Sequence, residues 1–296
     1  MSEKFNIFNI WILAIRPKTL PAAAAPVIIG SAMAISDCKF HAISALLALL
    51  GALFIQIGAN FANDYFDFKK GADTEDRMGP MRVTQAGLIK PETMRLGFII
   101  IFTLVMFIGF YLFWRAGWVI LLIAILSIIA GILYTGGPLP YGYIGLGDIM
   151  VLIFFGPVAV GGTYFVQALT INWIVIVSGL STGLISMAIL TVNNLRDIRT
   201  DKAVGKKTLA VRFGENFARM EYLFSIIIAS LIPIYLVFIT RAHYSSLICL
   251  LIIPVAYPSI KGVFFDEIGP GMNQLLAKTG KILLLYSLLF SLGWII

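Results

Sequence analysis

The sequence is poor in charge, cysteine and histidine, and each shortage excludes a class of protein. Only 12% of its 296 residues are charged while 59% are hydrophobic, which is too apolar for a soluble globular protein of this length. Its two cysteines, Cys38 and Cys249, have neither the spacing of a metal site nor that of a disulfide framework. Both histidines, His41 and His243, lie far along the chain from the acidic clusters. We therefore expect no zinc or iron centre built on thiolate or imidazole.

Soluble segments are also missing. The sequence shows no low-complexity tract and no soluble second domain, so we expect residues 1–296 to form a single transmembrane domain in contact with the lipid bilayer. The net charge of +7 arises in short connections between apolar runs, which favours membrane orientation and gives no support to a nucleic-acid partner. The apolar stretch 5–15 is followed by Arg16 and Lys18 without a small-residue cleavage pattern, so no cleaved signal peptide is expected.

Nine apolar segments are long enough to cross a bilayer whose hydrocarbon core is about 30 Å thick. They predict an all-α, polytopic membrane protein with nine transmembrane helices. The segments are roughly 20–36, 42–63, 96–114, 117–134, 149–169, 172–195, 220–240, 244–260 and 277–296.

The distribution of basic residues predicts how these helices are oriented. With the N-terminus in the cytoplasm, the inner side receives three Lys and Arg before the first span, six within 69–95, seven within 196–219 and three within 261–281. The outer side receives only Lys39, Arg115 and Arg241. This asymmetry follows the positive-inside rule. All acidic residues except Asp37 also fall inside, which points to a polar active surface on the cytoplasmic side.

Two clusters of amide and carboxylate side chains lie at the inner ends of apolar runs. The first contains Asn60, Asp64 and Asp67, spaced i, i+4 and i+7, and the second contains Asn193, Asp197 and Asp201, spaced i, i+4 and i+8. If the preceding helix continues through each cluster, its members share one face. An Asp costs roughly 2.5 to 3.5 kcal/mol at the centre of a membrane helix, so we expect these clusters near a helix end or neutralised by a cation.

The ligand types in these clusters favour magnesium or calcium, because both ions prefer oxygen. Magnesium binds through one or two carboxylates while keeping waters and phosphate oxygens, so two facing Asp pairs indicate a site for a diphosphate between metal ions. Nearby bases that could neutralise phosphate charge are Lys69, Lys70, Arg77, Arg82, Arg199, Lys206 and Lys207, and only a few are expected to touch the ligand. The chemistry indicated is loss of diphosphate from an allylic prenyl chain whose tail is housed by apolar helices.

Two further segments are expected on the same side as the acidic clusters. Arg16 and Lys18, in RPKTLPAAAAP, either anchor the chain at the membrane surface or contact an anionic substrate. The segment YTGGPLPYGYIGLGD, 134–148, contains too many glycines and prolines for a regular helix. It is either a tight turn or a wall or lid of the substrate pocket.

These motifs resemble the UbiA superfamily of intramembrane prenyltransferases, and the resemblance covers almost the whole chain. NDYFD, at 63–67, matches the first metal motif of the superfamily, and Asp197 with Asp201 matches the second. Within the superfamily, RPKTLPAA, NDYFDFKKGADTEDR, YTGGPLPYGYIGLGD and NNLRDIRTDKAVGKKTLAVRFG are similar to the branch that prenylates 1,4-dihydroxy-2-naphthoate for menaquinone synthesis.

The resemblance implies a UbiA-type fold, Mg2+ as cofactor, and transfer of a polyprenyl group from polyprenyl diphosphate to 1,4-dihydroxy-2-naphthoate. Loss of the naphthoate carboxylate would give a demethylmenaquinone. The candidate catalytic residues are Asp64, Asp67, Asp197 and Asp201, and the candidate metal ligands are these four with Asn60, Asn63, Asn193 and Asn194. The candidate diphosphate ligands are Lys18, Arg77, Lys206 and Lys207, and the candidate acceptor pocket contains Arg16, Tyr134, Tyr141 and Asp148.

Two departures from the superfamily pattern keep alternatives open. Asn193 and Asn194 stand where many members begin the second motif with Asp, which removes one negative charge. The segment 134–148 lacks the Arg found in some hydroxybenzoate-using relatives. The alternatives are an enzyme acting on hydroxybenzoate, homogentisate, haem or a glycerol phosphate, and an ion-coupled transporter, whose site is expected nearer the bilayer midplane. The sequence predicts neither prenyl chain length nor oligomeric state.

Overall fold

The computed structural model describes residues 6–72 and 78–296, and all regular secondary structure in these ranges is helical, as expected. In chain order the helices are α1 Ile7–Ile15, α2 Leu20–Ser36, α3 Ala42–Lys69, α4 Pro91–Ala116, α5 Trp118–Leu133, α6 Gly147–Ile153, α7 Ala159–Ala168, α8 Trp173–Arg196, α9 Ile198–Ala203, α10 Leu209–Phe213, α11 Glu215–Thr240, α12 Ile252–Phe265 and α13 Met272–Ile295. Two 3₁₀ segments, Pro17–Thr19 and Tyr244–Leu251, and a π-helical turn, Phe154–Val158, connect some of them.

Eight helical segments of the described chain are long and apolar enough to cross a membrane, which makes this a multi-pass membrane protein. They are Ile7–Ser36, Ala42–Lys69, Pro91–Ala116, Gly147–Ala168, Trp173–Arg196, Glu215–Thr240, Tyr244–Phe265 and Met272–Ile295. The remaining predicted span, 117–134, is α5, an apolar helix of 16 residues. At 1.5 Å per residue α5 is about 24 Å long. It is short because Gly117, with φ of 79°, precedes it and the glycine-rich segment follows it.

The polar candidate residues lie at one end of the helical bundle, where α3 and α8 end and α13 begins. We call this the polar end. The first span reaches it through a turn in which Arg16 adopts a left-handed conformation, with φ of 56°, between α1 and α2. At the opposite end of the bundle, the Arg115 guanidinium donates hydrogen bonds of 2.9 and 3.2 Å to the carbonyl oxygens of Val166 and Gln167. These bonds join the ends of α4 and α7.

The buried apolar side chains form two main groups. The larger packs α2, α7 and α8 against α11, α12 and α13, and includes Ile29, Ile185 and Leu283. The smaller packs α1, α3 and α4, and includes Phe61 and Met94. Because lipid is as apolar as these side chains, close van der Waals packing supplies the association between helices. An open cavity is lined by residues of α2, α3, α4, α5, α7 and α8.

A bend in the span Gly147–Ala168 shapes one wall of this cavity. Gly156 has non-helical angles, with φ of −107° and ψ of −112°, and Pro157 follows it in the π-helical turn. The Thr182 hydroxyl donates a hydrogen bond of 2.9 Å to the carbonyl oxygen of Phe155. This bond satisfies a backbone acceptor next to the bend, as a low-dielectric environment requires.

Two glycines of α8 allow the bent span to approach closely. A Cβ on Gly183 would lie 2.3 Å from the carbonyl oxygen of Leu152, and a Cβ on Gly179 would lie 2.9 Å from the carbonyl carbon of Gly156. Both neighbours are backbone atoms, so a side chain could be accommodated only by separating the helices.

We expect Gly183→Ala to destabilise the protein by about 1 to 3 kcal/mol, because overpacking forces a backbone shift. Thermal unfolding of the detergent-purified protein would measure the loss. Gly162→Ala is the matched control, since its Cβ would meet only Ile123, at 3.8 Å. Equal unfolding temperatures for the two variants would contradict this reading of the contact.

Candidate functional site

The first acidic motif lies on the last turns of α3, and the helix continues through it as predicted. Asp64 and Asp67 are buried, with 2% and 1% of their surface exposed. The Asp67 carboxylate accepts hydrogen bonds from Arg82 at 2.9 Å and from the Tyr143 hydroxyl at 2.7 Å. The Asp64 carboxylate accepts a 3.4 Å bond from the backbone N–H of Thr84, and the Arg16 guanidinium interacts with it electrostatically.

The second acidic motif differs from the expected continuous helix. Helix α8 ends at Arg196, Asp197 is its C-cap, and Asp201 lies in the short helix α9. The helical spacing persists because the Asp197 N–H bonds to the Asn193 carbonyl at 3.1 Å and the Asp201 N–H bonds to the Asp197 carbonyl at 2.8 Å. Both carboxylates are buried, with 5% and 8% of their surface exposed. The trio therefore stays together although the helix is interrupted.

Arg196 organises this second motif and was not singled out by the sequence analysis. It is one of the largest fully buried side chains in the described structure. Its guanidinium donates to both carboxylate oxygens of Asp197, at 2.8 and 2.5 Å, and to Oδ1 of Asn193 at 2.7 Å. A fourth bond of 2.7 Å reaches Oδ1 of Asn273, at the start of α13. The adjacent positions of Arg196 and Asp197 in a helical pattern gave no signal of this pairing.

Tyr143 links the two motifs and was also missing from the predicted site. Its hydroxyl bonds to Asp67, and the Lys70 and Lys206 ammonium groups lie over its ring, at 5.1 and 4.7 Å from the centroid. Lys206 also forms an ion pair with Asp201, at 3.5 Å. One aromatic ring thus lies between charged groups of both motifs. Its place in a tyrosine-rich loop was the only sequence signal for it.

Three of the four asparagines predicted as metal ligands form side-chain hydrogen bonds within the chain. The Asn60 amide donates to the Ile15 carbonyl at 2.8 Å and to the Thr19 hydroxyl at 3.1 Å, which fixes the α1–α2 turn against α3. Asn63 accepts a bond of 2.9 Å from the Thr135 hydroxyl. Asn193 accepts its bond from Arg196, and Asn194 is buried on the same helix.

The predicted diphosphate ligands differ in how far they are buried. Lys206 is largely buried beside Asp201, whereas Lys18 and Lys207 are exposed. Arg77 lies outside the described residues. Of the other bases considered, Lys69 and Arg199 are exposed, and Lys70 donates bonds of 2.7 and 3.1 Å to the carbonyl oxygens of Thr135 and Gly137. Arg82 is buried and forms an ion pair with Asp67.

The predicted acceptor-pocket residues converge in part. Arg16, Tyr134 and Tyr141 line a common cavity, while Asp148 is buried in the first turn of α6 nearby. The Tyr134 and Tyr141 rings meet edge to face, with centroids 5.4 Å apart. Burial raises the pKa of both phenols well above the usual value, and the Asp148 carboxylate adds to the effect on Tyr134. Both hydroxyls therefore stay protonated and available as donors.

The glycines of segment 134–148 are needed for its compact path. A Cβ on Gly142 would lie 2.7 Å from the Tyr134 carbonyl oxygen, and one on Gly145, where φ is 81°, would lie 2.9 Å from the Lys207 carbonyl oxygen. The Lys207 N–H bonds in turn to the Tyr143 carbonyl, at 2.7 Å. The segment is thus joined by backbone contacts to the loop that follows the second motif.

The cavity has a volume of about 350 Å³ and changes from polar to apolar along its length. At the polar end it is lined by Arg16, Asn60, Asn63, Arg82 and Asn193. Toward the opposite end it is lined by Leu47, Ile108, Leu112, Ile120 and Val166. A ligand that matches it carries a charged group at one end and a long apolar body.

The acidic motifs supply the kind of donors that Mg2+ prefers. Within residues 6–72 and 78–296, no three His, Cys, Asp or Glu side chains are grouped so that they could hold a metal ion together. Two carboxylates from one motif, completed by phosphate oxygens and water, nevertheless match the usual coordination of Mg2+. In the described structure, Arg82, Arg196 and Lys206 neutralise three of the four carboxylates. The donor set therefore fits the ion, which would displace these cations or share the carboxylates with them.

Fold and cavity together define a helical integral membrane protein with a pocket for a charged, amphiphilic ligand at one end of the bundle. The chain belongs to the UbiA prenyltransferase family, whose model matches residues 23–265.

Several relatives are similar over nearly the whole chain. A 1,4-dihydroxy-2-naphthoate octaprenyltransferase from Escherichia coli is 41% identical, covering 96% of this chain and 94% of its own. The enzyme of the same name from Haemophilus influenzae is 37% identical, covering 100% and 98%. That from Bacillus subtilis is 31% identical, covering 97% and 92%.

Solved structures confirm the UbiA-type fold. A UbiA homolog from Archaeoglobus fulgidus bound to GPP and Mg2+ has a TM-score of 0.69 at 16% identity, covering 97% of this chain and 99% of that one. A UbiA homolog from Aeropyrum pernix has a TM-score of 0.70 at 14% identity, covering 90% and 96%.

We expect Arg196→Leu to lower the free energy of unfolding by about 3 to 5 kcal/mol, because it leaves the Asp197 carboxylate buried without its cation. Thermal or denaturant unfolding in detergent would measure this loss. Arg199→Leu, three residues further on and exposed, is the control and should leave stability within about 0.5 kcal/mol. Similar losses for both variants would show that the buried pair has no special role.

Proposed function

We propose that this protein transfers a polyprenyl group from polyprenyl diphosphate to 1,4-dihydroxy-2-naphthoate, with loss of the carboxylate as CO₂, giving the hydroquinone form of a demethylmenaquinone. The observation that carries the proposal is the cavity. Its polar end is lined by Arg82, which pairs with Asp67, and by Asn193, which bonds to the partner of Asp197, and its remainder is apolar. The names of the relatives that are 31 to 41% identical over nearly full length support the choice of acceptor.

The polar end is proposed to bind the diphosphate together with Mg2+. Asp64 and Asp67 on one side and Asp197 and Asp201 on the other would hold the ions, with Asn63, Asn193 and Asn194 nearby as further oxygen donors. When bound, Mg2+ supplies positive charge that stabilises the departing diphosphate. The Archaeoglobus fulgidus homolog, with its GPP and Mg2+, supports this assignment.

The basic residues of the chain are proposed to exchange partners when the diphosphate binds. Arg82 and Lys206 already face the motif carboxylates, so they are well placed to donate charged hydrogen bonds to phosphate oxygens. Lys18, Lys207 and Arg77 would contribute longer-range attraction. Preorganised cations stabilise the negative charge that develops as the bond between prenyl carbon and oxygen breaks.

The rest of the cavity is proposed to hold the isoprenoid tail and the naphthoate. Apolar side chains exclude water from the allylic electrophile. Arg16 is the candidate partner for the naphthoate carboxylate. Tyr134 and Tyr141, which stay protonated, are candidate donors to the ring hydroxyls. The Asp148 carboxylate helps to keep the Tyr134 hydroxyl protonated. The ring carbon that carries the carboxylate would bond to the prenyl carbon as the diphosphate leaves. Loss of CO₂ from that carbon returns an electron pair to the ring and leaves an aromatic hydroquinone.

We further propose that the polar end and the N-terminus face the cytoplasm of a bacterial cell. The excess of Lys and Arg in the connections at the polar end supports this orientation.

The first test is product analysis by mass spectrometry, using membranes that contain this protein, Mg2+, several polyprenyl diphosphates, and dihydroxynaphthoate beside hydroxybenzoate. We expect a prenylated naphthohydroquinone that lacks the carboxylate, or the quinone formed from it by oxygen during work-up, and no product when a chelator removes Mg2+. Prenylation of hydroxybenzoate alone would reject the proposed acceptor, and full activity in chelator would reject the proposed metal.

We expect Asp64→Asn to lower kcat at least about 100-fold, because a ligand for the metal that stabilises the leaving group is lost. The same assay measures the change. Asp37→Asn is the control, because Asp37 is exposed and contacts Tyr164, away from the polar end. Near-normal turnover in Asp64→Asn would remove that residue from the metal site.

Lys206 and Lys207 have the same predicted role in the sequence, but the structure buries most of Lys206 and leaves Lys207 exposed. Lys206→Ala should raise KM for polyprenyl diphosphate about tenfold, because it removes a partly buried charge–phosphate contact worth about 1.5 kcal/mol or more. Lys207→Ala, at the exposed neighbour, should change KM less than about threefold. Equal KM values for the two variants would place Lys206 in the solvated loop without a role in binding.

A further inference from the structure

Asn273, at the start of α13, contacts two segments that are distant in sequence. Its Oδ1 accepts a bond of 2.7 Å from Nη1 of Arg196, which lies 77 residues away. Its Nδ2 donates a bond of 3.1 Å to the backbone carbonyl of Met78, which lies 195 residues away. The side chain is partly buried, so these bonds are shielded from water on one side.

Each contact leads to one of the acidic motifs. On one side, the same Arg196 guanidinium donates hydrogen bonds to both carboxylate oxygens of Asp197. On the other side, Met78 lies four residues before Arg82, whose Nη2 holds the Asp67 carboxylate at 2.9 Å. A single carboxamide therefore connects the second motif directly, and the first motif through the segment that carries Arg82.

The chemistry of the position suits asparagine in particular. A carboxamide offers an acceptor and a donor on one rigid group. Aspartate would keep the acceptor for Arg196 but would set a second acceptor against the Met78 carbonyl. Leucine would remove both bonds while keeping a similar volume.

We propose that Asn273 is a positioning residue for the site. It fixes the Arg196 guanidinium, and through it the Asp197 carboxylate, and it anchors the 78–84 segment so that Arg82 stays over Asp67. The expected effects of Asn273 on catalysis rest on the function proposed above. The expected effect of Asn273 on the 78–84 segment is independent of that function.

The first experiment measures hydrogen exchange by mass spectrometry in the protein without Mg2+ or substrate. Asn273→Asp and Asn273→Leu should each increase amide exchange in residues 79–84 about tenfold, because the anchoring bond to Met78 is lost. Gln274→Leu is the control, since Gln274 is exposed on the next position of α13, and it should match the wild type. Wild-type exchange in both Asn273 variants would overturn the proposal.

The second experiment separates the two contacts by kinetics. Asn273→Asp keeps the bond to Arg196, so we expect KM for polyprenyl diphosphate to rise with kcat within about threefold of wild type. Asn273→Leu loses both bonds, so KM should rise and kcat should also fall, by about 10- to 100-fold, as for other residues that orient metal ligands. Equal losses of kcat in both variants, with KM unchanged, would indicate a merely structural role and overturn the proposal.

The two experiments distinguish a failure of the proposed function from a failure of the role proposed for Asn273. If the wild-type protein prenylated no naphthoate, the proposed function would fail while the exchange data still decided whether Asn273 anchors 78–84. If Asn273→Leu did not fold, Asn273→Asp, which keeps the buried guanidinium paired, would carry both measurements.

Discussion

The structure depends on stabilising four buried carboxyl groups at the end of an apolar helix bundle. Asp64, Asp67, Asp197 and Asp201 are each at least nine-tenths buried, and a buried charge without a partner is strongly destabilising. The protein meets this requirement with its own cations. Ion pairs with Arg82, Arg196 and Lys206 are therefore the interactions around which the loops of the polar end are arranged.

These pairs also determine what the site can bind. Positive and negative side chains alternate there, so a ligand can enter without a large change in net buried charge only if it brings both signs. The proposed ligand, a diphosphate with Mg2+, meets this condition, since the ions would take the place of the arginine and lysine groups on the carboxylates while those groups would turn to phosphate oxygens. The Tyr143 ring lies between the Lys70 and Lys206 ammonium groups, so two cations lie close together beside the acidic motifs.

The apolar part of the molecule is held together by close packing of its helices. Helices in lipid gain little from burying apolar surface, so they associate where small residues allow close contact. Gly179 and Gly183 allow α8 to touch the bent span at Gly156, and the bend leaves room beside it for the cavity. The sequence predicted a span at this place but not its bend, because a Gly-Pro pair in a membrane helix can be accommodated in several ways.

The sequence by itself determined the membrane class, the positions of the spans and the two acidic motifs, because hydropathy and helical spacing are local properties. It also placed Arg16, Tyr134 and Tyr141 near one another through their shared side of the membrane. Only the tertiary structure decided which cation holds which carboxylate. Tyr143 and Asn273 bond to residues on other helices and loops, as far as 195 residues away. Arg196 bonds to its neighbours Asn193 and Asp197, but their spacing did not show that its side chain is buried or that it also bonds to Asn273. Such contacts exist only once the helices have packed.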